Sequence, residues 1–197
     1  DSVDNQGSGW STDDVLVLGD GPPAPPAGGV LLVNEVLADP PSGLDTNRDG
    51  TWSVRGDELV ELVNVGDGPL DLSGATVSDR VAVRTTLPAG TTLAPGQAMV
   101  IFGGSAPTLP GVVTIATGGL WLNNDGDELH VRAPDGAVLA ELTWGAEGGR
   151  DQSLTRELDG DPASPMVLHR TVASTPASPG TRADGSPFSG APAGRLV

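Results

Sequence analysis

Asp45-Thr46-Asn47-Arg48-Asp49-Gly50-Thr51 is the segment whose residue types and spacing read most directly as chemistry. The pattern D-x-N-x-D-G sets three oxygen-bearing side chains at alternate positions and puts a glycine where the chain must turn sharply, as in calcium loops of the EF-hand or dockerin type. Asp45, Asn47 and Asp49 would supply side-chain oxygens, and Thr51 its backbone carbonyl. Where an EF-hand closes its loop with a bidentate Glu this chain has Gly56, with Asp57 and Glu58 directly after it. A shifted carboxylate is tolerable outside a helix–loop–helix. The expected metal set is therefore Asp45, Asn47, Asp49, Thr51, Asp57 and Glu58, with Ca2+ as cofactor. Its role would be structural, because an ion would order a loop inserted between two core strands. The alternative is a solvated acidic turn.

Other constellations carry weaker chemistry. Glu35 and Glu61 lie inside otherwise apolar segments that should neighbour each other. Paired carboxylates serve as general acid and base, but in a sheet they more often sit half-exposed or accept from an Arg or a backbone N–H. His130 and His169 are far apart, with no further His or Cys and no HExxH pattern to make a zinc site. Arg55-Gly56-Asp57 is an RGD tripeptide, which recognises adhesion receptors only from an exposed loop tip; Asp57 is expected to serve calcium or start a strand instead. Asn124-Asp125-Gly126-Asp127 and Asp159-Gly160-Asp161 read as turns that use these residues for left-handed geometry. No GxSxG elbow, P-loop or GxGxxG stands before a helix, so no catalytic residue is expected.

The elements that must position these residues are short apolar runs broken by turn residues, with no stretch of helical period. They include VLLVNEVLA (30–38), DELVELVNV (57–65), LDLSGATV (70–77), AVRTTL (82–87), QAMVIFG (97–103), VVTIA (112–116), GLWL (119–122), ELHVRA (128–133), AVLAELTW (137–144), SLTRE (153–157) and MVLHR (166–170). In the second run Glu58, Val60 and Leu62 should face one way and Leu59, Glu61 and Val63 the other. About ten short strands without helical crossovers predict an all-β antiparallel sandwich or small barrel. Residues 1–29 differ in composition: a polar start, one apolar run Val15-Leu16-Val17-Leu18, then a Pro/Gly-rich connector that favours extended backbone. The sandwich is expected over 30–188, behind an N-terminal arm (1–29) and before a short tail (189–197).

The segments VNEVLADP (33–40), DELVELVNVGDGPLDLSGATVSD (57–79), LPAGTTLAPGQAMVIFGG (87–104), LNNDGDELHVRAPDGAVLAELTWG (122–145), QSLTRELDGD (152–161) and SPGTRADG (178–185) occur in an order that resembles the lamin tail domain. That resemblance implies an immunoglobulin-like β-sandwich with a binding or architectural role and no catalytic signature to carry over. It looks like the exported bacterial branch, whose members often carry an aspartate-rich insert before the ELV strand.

Composition narrows the function further. The chain has 197 residues, 26 acidic and ten basic, all of the latter arginine, for a net charge of −16. Phosphate backbones and anionic membranes would be repelled, and with four Trp, two Phe and no Tyr there is no platform for stacking bases. Cysteine is absent, so thiolate chemistry is excluded. No run of ~18 apolar residues spans a bilayer. The start at Asp1 fits a chain whose export signal has been removed, so a secreted or cell-surface location is expected. Two roles fit: a structural subunit whose Val15–Leu18 strand adds to an edge of the next copy, making a fibre, or a monomeric surface module for a glycan or protein. A hydrolase or nuclease accessory domain is a third, less favoured reading.

Overall fold

The structure, a computed structural model, describes residues 28–189. The Val15–Leu18 strand expected of the arm, and all but the first residue of the expected tail, lie outside the described residues.

Strong β-formers at alternating positions make twelve strands: β1 (Leu31–Leu37), β2 (Leu59–Asn64), β3 (Leu70–Asp71), β4 (Thr76–Ser78), β5 (Val83–Thr86), β6 (Thr92–Leu93), β7 (Ala98–Phe102), β8 (Val113–Ala116), β9 (Asp127–Arg132), β10 (Val138–Trp144), β11 (Leu154–Arg156) and β12 (Met166–Leu168). The only helical elements among the described residues are two single 3-10 turns, Ala146–Gly148 and His169–Thr171. The strands form a six-stranded sheet in the order β12-β11-β1-β2-β7-β8, a four-stranded sheet in the order β10-β9-β4-β5, and a small β3-β6 pair. Val33, Val60, Leu62, Met99 and Ile101 from the first sheet meet Val77, Leu129 and Val131 from the second in one aliphatic core. This is the expected immunoglobulin-like sandwich.

Four details depart from the sequence expectation. The run 70–77 is two strands, because the chain turns at Leu72–Ala75, closed by Ala75 N–H donating to the Leu72 carbonyl at 3.0 Å. The run 119–122 is no strand, since Trp121 sits at φ 58, outside the extended region. The β3-β6 pair brings in Thr92 and Leu93, which no expected run contained. Finally β8 runs parallel to β7, whereas every other strand pair is antiparallel.

The faces behave as alternation requires only where one side is wet. In β9, Asp127, Leu129 and Val131 are buried while Glu128, His130 and Arg132 are half-exposed. In β2 all six residues are buried, because the outer face of the larger sheet is also covered. There Leu37, Leu59, Val100 and Phe102 form a second cluster beneath Leu109 and Ala177. A β-bulge prepares that face: β1 pairs Val33 with Leu62 but Glu35 with Glu61, so Asn34 is an extra residue and both Asn34 and Glu35 turn away from the main core.

Truncation of the fully buried Ile101 to alanine is expected to cost about 2–5 kcal/mol, whereas Val81→Thr, at a position 77% exposed, should stay within about 0.5 kcal/mol. Denaturant unfolding at constant m-value measures both.

Candidate functional site

The 45–58 loop leaves the end of β1 and returns into β2. Asp45 accepts with Oδ1 from Asp49 N–H at 3.1 Å and with Oδ2 from Gly50 N–H at 2.8 Å. Asn47 Oδ1 accepts from the same Asp49 N–H at 3.1 Å, so the Asp45 and Asn47 oxygens gather around one amide. Asp49 Oδ1 accepts from Thr51 N–H at 2.8 Å. Gly50 has φ +86, the left-handed turn that the motif reserves for glycine. Asn47 Nδ2 donates to the Gly56 carbonyl at 3.0 Å, which fixes which end of its amide faces the loop.

The two following carboxylates do different work. Asp57, fully buried, is brought onto the loop: Oδ1 accepts from Thr46 N–H, Thr46 Oγ–H and Asn47 N–H, and Oδ2 from Ser53 N–H, at 2.8 to 3.2 Å. Glu58, next along an extended backbone, faces the other way, and its Oε2 accepts from Trp121 N–H at 2.7 Å. Burial pushes its carboxyl up to about 7, against the Leu122 and Trp121 N–H groups and the arginines at 55 and 84. The donor set gathered on the loop is thus Asp45, Asn47, Asp49 and the strand-entry Asp57, with Thr51 beside them and Glu58 apart. Among the described residues no three His, Cys, Asp or Glu side chains form a metal cluster. A calcium ion on this loop would need Asn47 and a backbone carbonyl besides the loop's carboxylates.

The loop is docked rather than displayed. Gly104 N–H donates to the Gly56 carbonyl and Gly103 N–H to the Glu58 carbonyl, both at 2.8 Å, and a Cβ on Gly103 would collide with the Arg55 carbonyl oxygen. Within the RGD tripeptide Arg55 stacks 3.8 Å over the Trp121 ring while Asp57 is buried, so the tripeptide is not presented as an adhesion loop. Trp52, Val54 and Trp121 remain substantially exposed beside it.

Glu35 and Glu61 are directly opposite each other on β1 and β2, as their segments suggested, and both are fully buried. They accept backbone N–H groups, the second of the two readings. Glu35 Oε1 takes Ser178 N–H at 3.0 Å and its Oε2 takes Ser178 Oγ–H at 2.8 Å. Glu61 Oε2 takes Gly180 N–H at 2.7 Å and its Oε1 takes Asn34 Nδ2 at 2.9 Å. Burial raises the Glu35 carboxyl above the usual range, with His169 and the Ser153 and Ser178 bonds opposing. Burial and then the neighbouring Glu35 raise Glu61 well above it. The amides that an acyl-transfer site would aim at an oxyanion are here spent on carboxylates.

The remaining candidates resolve as turns and ties. Asp127 closes the 123–127 turn by accepting from Asn123 N–H and Nδ2 and from Glu128 N–H. Asp159 does more than turn: it accepts from Asn34 Nδ2 and from Ala183 N–H, joining three distant segments. His130 lies between Glu128 at 3.4 Å and Glu141 at 3.6 Å on the solvent face, each facing a different ring nitrogen. His169 is buried against Thr175 and Ser178. Asn34, Ser178 and Gly180 were not found by sequence reasoning, and Asp159 was read only as a turn; the bonds joining Asn34 to Asp159, Glu35 to Ser178 and Glu61 to Gly180 each span more than a hundred residues, and no local spacing signals them.

Glu35, Glu58 and Glu61 hold their protons more tightly folded than unfolded, so the folded state binds more protons above the usual carboxylate range and stability falls as pH rises through that window. The melting temperature is expected to drop as the pH rises from about 4.5 to about 7, the window set by Glu58, and Glu58→Gln to flatten part of the slope; calorimetry across that range checks it.

Among comparisons with known proteins, a family model described as Lamin Tail Domain matches residues 24–146, about 62% of the chain. The matched span ends just after β10, so β11, β12 and the segment that bonds Glu35 and Glu61 lie beyond it. No curated protein matches the sequence.

Proposed function

The chain belongs to the lamin tail domain family, and from that premise we propose that it is an exported, calcium-stabilised structural subunit that joins copies of itself into an extracellular fibre. The family is a structural one of immunoglobulin-like domains, and a non-catalytic role follows naturally from it. The observation that carries the assembly reading is the edge at β5, which ends the four-stranded sheet and, among the described residues, bonds on one side only, to β4. There Val81 is 77% and Val83 58% exposed. An edge flanked by exposed valines suits addition of an apolar strand, and Val15-Leu16-Val17-Leu18 has that composition. The net charge of −16 keeps a secreted chain soluble between assembly contacts.

The calcium part rests on the loop geometry. Asp45, Asn47 and Asp49 with the Thr51 carbonyl would hold the ion, and Asp57 would brace the backbone around it; bound there, the ion would offset the charge of Asp45 and Asp49 and tie residues 45–51 together. EDTA is expected to lower the melting temperature and excess Ca2+ to restore it, with Asp45→Ala combined with Asp49→Ala abolishing both effects. An EDTA-insensitive melt of the intact protein refutes the calcium reading.

For assembly, light scattering and negative-stain microscopy of the full chain should show polymers that disappear when residues 1–20 are deleted. Unchanged particle size on deletion would instead favour a monomeric surface-binding module. The exposed Trp52, Val54 and Trp121 beside the 45–58 loop favour that second reading, as flat apolar surface for a glycan ring or a protein.

A further inference from the structure

Residues 169–188 cross the outer face of the six-stranded sheet with almost no regular strand pairing; a single bridge, Thr181 with Pro187, is internal to the segment. Besides the Gly180 N–H bond to Glu61 and the Ala183 N–H bond to Asp159, a chain of three buried groups fastens this strap. His169 Nδ1 lies 2.8 Å from the Thr175 carbonyl oxygen, and because a carbonyl only accepts, Nδ1 carries hydrogen. Its Nε2 lies 2.9 Å from Ser178 Oγ, which lies 2.8 Å from Glu35 Oε2.

A serine hydroxyl has one hydrogen, so to bond both neighbours Oγ must donate to one and accept from the other. Two arrangements do this. In one, an imidazolium Nε2–H donates to Oγ, which donates to a carboxylate. In the other, a protonated carboxyl donates to Oγ, which donates to a neutral Nε2. Each contains one proton more than neutral imidazole plus carboxylate. Without that proton Nε2 and Oε2 both only accept, and the one Ser178 hydroxyl hydrogen can serve only one of them. Glu35 and His169 are both fully buried, where an unsatisfied acceptor is costly.

We propose that Glu35, Ser178 and His169 form a one-proton latch that holds the 169–188 strap over the sheet, and that losing the proton in alkaline solution releases it. Release would uncover the apolar face of Leu37, Leu59 and Phe102 on which Ala177 packs.

The surroundings suit such a device. Glu61 faces Glu35 from β2, Ser153 and Thr155 come from the β11 side as neutral groups, and Asp159 approaches through Asn34. Arg156 is occupied by the Val33 and Ser164 carbonyls and Arg182 by the Asp159 carbonyl. The salt bridges among the described residues include neither Glu35 nor Glu61. The proton is therefore the positive charge available to the pair. A surface depression of about 440 Å³, lined by Thr175, Ser178, Thr181 and Asp184 among others, adjoins this chain of groups.

The test uses the full chain with 15N-labelled histidine and 13C-labelled glutamate. The proton of the Glu35–Ser178–His169 chain is expected to leave in a single step as the pH rises above the usual carboxylate range. Across that step exchange protection of the Ser178 and Gly180 amides, corrected for intrinsic rates, should fall about tenfold. In Glu35→Gln the side-chain carbonyl accepts Ser178 N–H and the amide NH2 donates to Oγ, completing the chain without a titratable proton, so protection should become independent of pH. Glu61→Gln should leave the dependence in place. A His169 ring that titrates independently of Glu35 in the wild-type chain overturns the proposal whether or not the variants fold, and so does a profile flattened by Glu61→Gln but not by Glu35→Gln.

Discussion

Two carboxylates buried side by side in the middle of a sheet must be satisfied by hydrogen bonds or the sheet does not close around them. Glu35 and Glu61 occupy facing positions on the two central strands and are fully buried. Their partners are the N–H groups of Ser178 and Gly180, which belong to a segment too irregular to supply ladder bonds to the sheet. The dependence is mutual. The strap gains acceptors for amides that would otherwise be orphaned under cover, and the carboxylates gain donors that only the strap can bring. Covering the sheet in this way is also what buries Leu37, Leu59, Val100 and Phe102, so that a second apolar cluster exists behind the main core.

The bulge at Asn34 is the local device that makes this arrangement geometrically available. Without the extra residue, strict alternation would carry Glu35 to the same face as Val33, into the aliphatic core. With it, Asn34 and Glu35 both reach the outer side, where Asn34 donates to Glu61 and Asp159 and accepts from Gly160. One inserted residue thus converts a buried-charge problem into a polar network tying β1, β2, the 159–160 turn and the strap.

The loop at the other end of these strands solves a different problem with the same chemistry. Asp57 gathers four donors from residues 46–53 and so fixes the re-entry into β2, while Glu58, one residue on, pins Trp121 in its left-handed conformation from the opposite side. Adjacent acidic residues in an extended chain point apart, which is why a ligand set read from spacing alone included both and why the fold separates them. The family match stops before β11, yet β11 pairs with β1 and the strap bonds both central strands; the sandwich is completed by sequence outside the matched region.

The amino-acid sequence by itself determined the β class, most strand positions, the turns at 124–127 and 159–161, the neighbouring of Glu35 with Glu61 and the oxygen spacing of residues 45–51. Those are local properties, carried by alternation, turn residues and short-range hydrogen bonds that a linear reading captures. Tertiary structure alone decided that β8 lies parallel to β7, that β2 is buried on both faces, that Asp57 and Glu58 part company, and that Asn34, Asp159, His169 and Ser178 join the carboxylates. The polar network around Glu35 and Glu61 rests on groups brought together from far apart in the chain, up to 143 residues for Glu35 and Ser178, and the choice among such pairings is made by what can be buried together, which no spacing in the sequence records.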